Sequence, residues 1–110
     1  MAGTFTAKSI ADGQVANSQT AIYTVPASRT GYVKQVTFFN TNAAAQTLIV
    51  WIKRSGGTSR KIRQFTLAQN ESVDFLDDGD TLELSTGDAI EASTTTATAV
   101  DYVVMGVEET

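Results

Sequence analysis

Between Glu71 and Glu91 the chain strings together eight carboxylates: Glu71, Asp74, Asp77, Asp78, Asp80, Glu83, Asp88 and Glu91. They are the densest set of potential ligands and acid–base groups in its 110 residues. Two chemistries use such groups. Calcium takes several hard oxygen donors, and Asp74-Phe75-Leu76-Asp77-Asp78-Gly79-Asp80 is the richest run of them. No glutamate closes an EF-hand register there, so the run reads as solvated acidic turns. A glycosidase needs one carboxylic acid and one carboxylate base or nucleophile, and no other recognisable site residues accompany these. The remaining catalytic options are thin. There is no His, the usual general base and commonest transition-metal ligand, and no Cys. Ser, Thr and Lys have no visible activating partner. Ser55-Gly56-Gly57-Thr58 lacks the lysine and the following helix of a phosphate loop. The expectation is a chain that is not an enzyme, with no catalytic, cofactor-binding or metal residue.

Contact chemistry is better supported. Lys53, Arg54, Arg60, Lys61 and Arg63 put five of the eight basic residues around one hairpin, and the acidic turns follow it. One reading is a solvated hairpin whose charges discourage edge-to-edge aggregation. The other is half of a complementary contact, the basic hairpin meeting an acidic turn of a neighbouring subunit or an acidic shell surface. A second candidate is apolar. If Val36, Phe38, Leu48, Val50 and Ile52 face the core, then Phe39, Ile49 and Trp51 point the other way and form an outer patch of the kind that marks a contact. The alternative is that a loop or the N-terminal strand covers them.

Strands must position these residues. Period-two patterns punctuated by turns predict strands over 4–10, 20–25, 31–40, 46–54, 60–67, 71–76, 81–84, 88–94 and 100–108, leaving nothing for helices. In 31–40, Tyr32, Val36 and Phe38 share one face, and Val33, Gln35, Thr37 and Phe39 the other. The strand over 46–54 is apolar on both faces and therefore covered twice. Ser55-Gly56-Gly57-Thr58, Asp78-Gly79-Asp80 and Thr86-Gly87-Asp88 supply turns where hairpins need them. Pro26 ends the second strand, because it cannot donate a ladder hydrogen bond. Residues 40–45 form a loop, since Ala43 to Ala45 are too few to nucleate a helix. Residues 11–19 read as a mobile connector, so that 1–19 can form an extended N-terminal arm. Many short strands and no helical period predict an all-β protein: an antiparallel β-sandwich of eight or nine strands with jelly-roll-like connections.

Length and composition bound the rest. A chain of 110 residues suits one domain over 1–110, able to bury a core without metal or disulfide. The absence of Cys fits assembly in a reducing cytoplasm. Met1-Ala2-Gly3-Thr4-Phe5-Thr6-Ala7 shows no secretory signal, and no apolar run reaches the ~20 residues of a membrane helix. A net charge of −4 argues against bulk nucleic-acid binding, which draws on cationic groups.

Tyr23-Thr24-Val25-Pro26-Ala27-Ser28-Arg29-Thr30-Gly31-Tyr32-Val33-Lys34-Gln35-Val36 resembles a pattern in small virion proteins of tailed bacteriophages. There a strand ends at Val-Pro-Ala, a basic residue follows, and a Val-Lys-x-Val/Ile strand leads to an Asn, here Asn40. Leu67-Ala68-Gln69-Asn70-Glu71-Ser72, Leu84-Ser85-Thr86-Gly87-Asp88-Ala89-Ile90 and Gly106-Val107-Glu108 are similar as well, so the resemblance spans about residues 20–109. The family often has Gly where Ser28 stands and Pro-Gly where Gln69-Asn70 stands. The resemblance implies a β-sandwich virion component, made in the host bacterial cytoplasm. It would be a head decoration or cement protein, or else a tail or fibre component or a host-surface or glycan-binding module. The implied partners are a major capsid protein or another virion protein, and further copies of itself, a trimer being favoured; no cofactor, nucleic acid or membrane is implied.

Overall fold

The structure, a computed structural model, describes residues 5–110 except Asp78, with residues 5–9 described by backbone alone. The described residues form nine strands and no helix: β1 (Phe5–Gln14), β2 (Thr20–Thr24), β3 (Thr30–Asn40), β4 (Gln46–Lys53), β5 (Arg60–Leu67), β6 (Ser72–Asp74), β7 (Leu82–Leu84), β8 (Ala89–Ser93) and β9 (Val100–Glu109). They make two antiparallel sheets. Sheet A has the order β1-β9-β3-β6, with β7 also on β3, and sheet B the order β2-β8-β4-β5.

The order has a simple origin. β4 pairs with β5, β3 with β6 and β7, β2 with β8 and β1 with β9, so the chain is one long nested hairpin. Rolling it up adds the β3–β9 and β4–β8 ladders and gives the jelly-roll arrangement. Of the three turns expected to be hairpins, only residues 54–59 join strands that pair with each other, with Gly56 at φ 72° and the Gly57 N–H donating to the Arg54 carbonyl at 2.8 Å. Thr86-Gly87-Asp88 instead carries the chain from sheet A to sheet B. Gly79-Asp80 lies between β6 and β7, which both pair with β3; the Asp78 of that turn is outside the described residues.

Alternation drives the core, but bulges reset it. Val36 and Phe38 are fully buried as expected, and so is Val33, which strict alternation puts outside. Lys34 is an extra residue in β3 between the pairs Val33–Gly106 and Gln35–Met105. A single inserted residue flips parity, so Gly31, Val33, Val36, Phe38 and Asn40 all face inward and Tyr32 does not share their face. The strand expected over 4–10 runs on to Gln14, with Ala11 to Gln14 paired to Val104 to Asp101, so this part of the expected connector is ladder. β1 lies beside β9 in the plane of sheet A.

The loop at 41–45 is held by the two amides that flank it. Buried Asn40 donates through Nδ2 to the Ala44 and Leu67 carbonyls at 3.1 and 2.9 Å, and its Oδ1 accepts from the Asn42 N–H at 2.9 Å. Buried Gln46 accepts from Thr94 Oγ1 and the Thr96 N–H at 3.1 and 2.8 Å. Ser28 and Asn70 have φ of 60° and 62°. Glycine is unstrained there, and Asn tolerates the same region through local hydrogen bonding.

Candidate interaction faces

Direct cross-strand partners share a face, so the register defines what each sheet shows to solvent. On sheet A one outward row reads Asp12, Val103, Thr37, Asp74 across β1, β9, β3 and β6. The next reads Gln14, Asp101, Phe39, Ser72. Further rows pair Met105 with Gln35, Val107 with Tyr32, and Tyr32 with Glu83. Val103, Met105 and Phe39 are 38, 40 and 37% exposed, so a sheet face that could be polar is apolar at its centre. Its charged residues are Asp12, Asp74, Glu83, Asp101 and Glu109, with Lys34 at the bulge. Several carboxylates are steadied locally: Thr37 Oγ1 donates to Asp74 at 2.8 Å, Gln14 Nε2 to Asp101 at 3.2 Å and the Tyr32 hydroxyl to Glu109 at 3.1 Å.

Sheet B presents the opposite sign. Its outward residues on β4 are Thr47, Ile49, Trp51 and Lys53, with Ile49 and Trp51 half-buried and Lys53 exposed. Trp51 sits between Glu91 of β8 and Lys61 of β5, and Ile49 between Ser93 and Gln64. Ser59 Oγ donates to Glu91 Oε1 at 2.5 Å and Gln19 Nε2 to the same oxygen at 2.8 Å. Those bonds hold the Glu91 carboxyl below the usual range, burial opposing them and Lys53 reinforcing them. Since β4 lies between β5 and β8, the Ser59 bond spans β4 on the Trp51 side and covers part of that face.

The expected apolar trio is therefore divided. Phe39 belongs to the outer face of sheet A, and Ile49 and Trp51 to that of sheet B, so the three form no common patch. Pairing partners cannot be read from period-two alternation, and the nested hairpin sends β3 and β4 to different sheets. Phe39 shares its sheet with two other exposed apolar residues, Val103 and Met105, whose segment Val103-Val104-Met105 carries the same both-faces-apolar signature as 46–54.

The basic cluster also divides, at a bulge. Ile62 is an extra residue of β5 between the pairs Val50–Arg63 and Trp51–Lys61. Lys61 accordingly lies on the outer face, where its Nζ donates to Gln64 at 3.0 Å, while Arg63 turns to the inner side. There the Arg63 guanidinium donates to the Phe75 carbonyl at 3.1 Å and stands 5.6 Å from the Phe65 ring centroid. Arg54 is tied down, donating to Asp88 at 3.0 Å and to the Glu83 carbonyl at 3.2 Å. Arg60, paired with Ile52, lines with Arg54, Ile52, Ile62 and Leu82 a cleft of about 530 Å³ where the margins of the two sheets part.

Asp88, expected as one of several solvated turn acids, is buried and is a structural hub. Its carboxylate accepts from the Ser55 and Ser85 N–H groups at 2.8 and 3.0 Å as well as from Arg54, joining the β4–β5 turn to the crossover from sheet A. Burial pushes this carboxyl up, but the three donors outweigh it and hold it below the usual range. Among the described residues no three of Asp and Glu come together in a group that could hold a metal ion. No helix among them is long and apolar enough to cross a membrane.

No protein-family model matches the chain, and no curated protein does. Among solved structures, it is similar to a protein of Bacillus endospore appendages, described as a novel family of disulfide-linked pili, with 19% identity over 98% of this chain and 89% of that one at a TM-score of 0.50. That likeness is one of fold. Weaker similarities are to a pentameric capsid protein from metagenomic phage sequences and to infectious bursal disease virus. The first has 16% identity over 89% of this chain and 58% of that one, at a TM-score of 0.37. The second has 9% identity over 97% and 32%, at 0.34.

Proposed function

We propose that this chain is a non-catalytic structural subunit of a virion, and specifically a head decoration or cement protein. It attaches to the outside of an assembled capsid and bridges neighbouring shell subunits, with a major capsid protein and further copies of itself as partners. The observation that carries this reading is the pair of outward sheet faces with apolar centres, Val103, Met105 and Phe39 on one side and Ile49 and Trp51 on the other. Exposed apolar patches on flat surfaces mark contacts, and a subunit that bridges others needs more than one. The resemblance of residues 20–109 to small phage virion proteins supports the same reading, as does the fold shared with a pilus protein. Stabilisation would be additive: each contact contributes ~25 cal/mol per Å² of apolar area buried, repeated at many symmetric copies.

The second reading, a tail or fibre component or a host-surface or glycan-binding module, draws on Trp51 alone, since an indole face is a good sugar platform. One experiment separates the two. The purified chain is co-sedimented with capsid shells lacking it and, in parallel, applied to a glycan array. Saturable shell binding that is lost in Trp51→Asp, with β-structure retained by circular dichroism, supports the decoration role. Saturable glycan binding without shell binding overturns it.

A further inference from the structure

The two outer faces match each other in chemistry and oppose each other in charge. Among the described residues sheet A carries Val103, Met105 and Phe39 amid five carboxylates, Asp12, Asp74, Glu83, Asp101 and Glu109, and one cation, Lys34 at the bulge, whose Nζ donates to Thr81 Oγ1 at 2.9 Å. Sheet B carries Ile49 and Trp51 beside Lys53 and Lys61, and its one outward carboxylate, Glu91, is already engaged by Ser59 and Gln19. We propose that the sheet A face of one copy docks on the sheet B face of the next, so that the chain assembles with itself head to tail through Val103 and Met105 against Ile49 and Trp51. The inference rests on the reading of the chain as one of many copies and names the contact between them: inner copies of a stack spend both faces on each other, and an end copy keeps one face for the shell.

Three arguments favour this occupant. A same-face dimer through sheet A would set carboxylate against carboxylate, and one through sheet B lysine against lysine, whereas the mixed contact pairs opposite signs. Size sets the scale: the molecule measures 50 × 27 × 21 Å, and a standard interface takes about 800 Å² from each partner. Both faces are built on hydrogen-bonded strands, bulged at Lys34 and Ile62, and so meet as preformed surfaces with little ordering cost. The geometry also fixes the product. The outer faces of a two-layer sandwich point in opposite directions, so a heterologous contact between them repeats along the sheet normal. It builds an open stack and does not close the three-membered ring that the phage resemblance implies.

The test uses the purified full chain and no capsid, so its failure is distinct from failure of the decoration role. Sedimentation velocity at about 0.1 M salt should show a mass that rises with protein concentration past dimer and trimer. It should fall toward the monomer at about 1 M salt, where the screening length drops from about 10 to 3 Å. K53E/K61E and D12K/D74K, all at exposed positions, should each remain monomeric and folded by circular dichroism, while their equimolar mixture assembles. Because the chain has no Cys, Met105→Cys and Ile49→Cys provide an independent probe. A short bis-maleimide should link the two single-cysteine proteins in a mixture and neither with itself. A chain that stays monomeric, charge variants that assemble alone as the wild type does, or cross-links formed only between like cysteines would each overturn the proposal. A monomer that still decorates shells would overturn it while leaving the decoration role intact.

Discussion

Gln35 and Leu76 exchange two hydrogen bonds through a side chain acting as a strand: the Leu76 N–H donates to Gln35 Oε1 at 2.8 Å, and Gln35 Nε2 donates to the Leu76 carbonyl at 2.8 Å. β6 ends at Asp74 and β7 begins at Leu82, so β3 lacks a partner strand between them, next to its own bulge at Lys34. The Gln35 amide closes that gap.

Replacing Gln35 by Leu keeps the bulk and leaves a part-buried N–H and carbonyl of Leu76 without partners. The expected loss is about 1–3 kcal/mol in chemical denaturation. Hydrogen exchange should quicken first at Leu76, because the opening is local.

Asp88→Asn should remove a charge-assisted contact to Arg54 and weaken two to backbone, at a cost of about 1.5–3 kcal/mol near neutral pH. The folded carboxyl titrates below the unfolded one. Its contribution is therefore complete above the ordinary carboxylate pKa of about 4 and disappears as pH falls through the lower folded value. Denaturation curves of wild type and D88N, well separated at pH 7, should converge in acid.

Tyr23 buries its phenol against the buried carboxylate of Glu108, donating at 2.7 Å, while Arg29 reaches the other carboxylate oxygen at 3.1 Å. Burial first, and the bond to Glu108 next, push Tyr23 far above its ordinary value. A raised folded pKa means stability that is whole below the unfolded value of about 10 and is lost as pH rises beyond it. Spectrophotometric titration should show Tyr23 ionising only as the protein unfolds in alkali. Tyr32 and Tyr102 are also raised, through the Glu109 hydrogen bond and through burial. Tyr23→Phe should remove the component coupled to unfolding and leave the other two.

Gly106 faces inward where the β3 bulge presses closest. A Cβ there would collide with the Tyr32 carbonyl oxygen and lie 3.0 Å from the Val33 Cα. Both obstacles are backbone and neither can rotate away, so Gly106→Ala should cost more than about 3 kcal/mol, near the upper end for a single substitution. A G106A protein with an unshifted thermal midpoint would show that the β3–β9 ladder gives way at no cost.

Residue order alone determined which segments are strands, because alternation and turn chemistry are local: all nine were legible, with the largest end error at β1, where Ala11 to Gln14 lack the apolar alternation that announces a strand. It also identified Trp51 and Ile49 as outward and the hairpin as basic. Only the tertiary structure decided which outward residues share a face. Single-residue bulges at Lys34 and Ile62 reverse parity without a sequence mark, turning Val33 inward and parting Arg63 from Lys61. The rolled hairpin then sends consecutive strands to different sheets, separating Phe39 from Trp51 and gathering Asp12, Asp74 and Asp101 around Val103. Charge and apolarity are properties of residues; a face is a property of register, and register is set by long-range pairing.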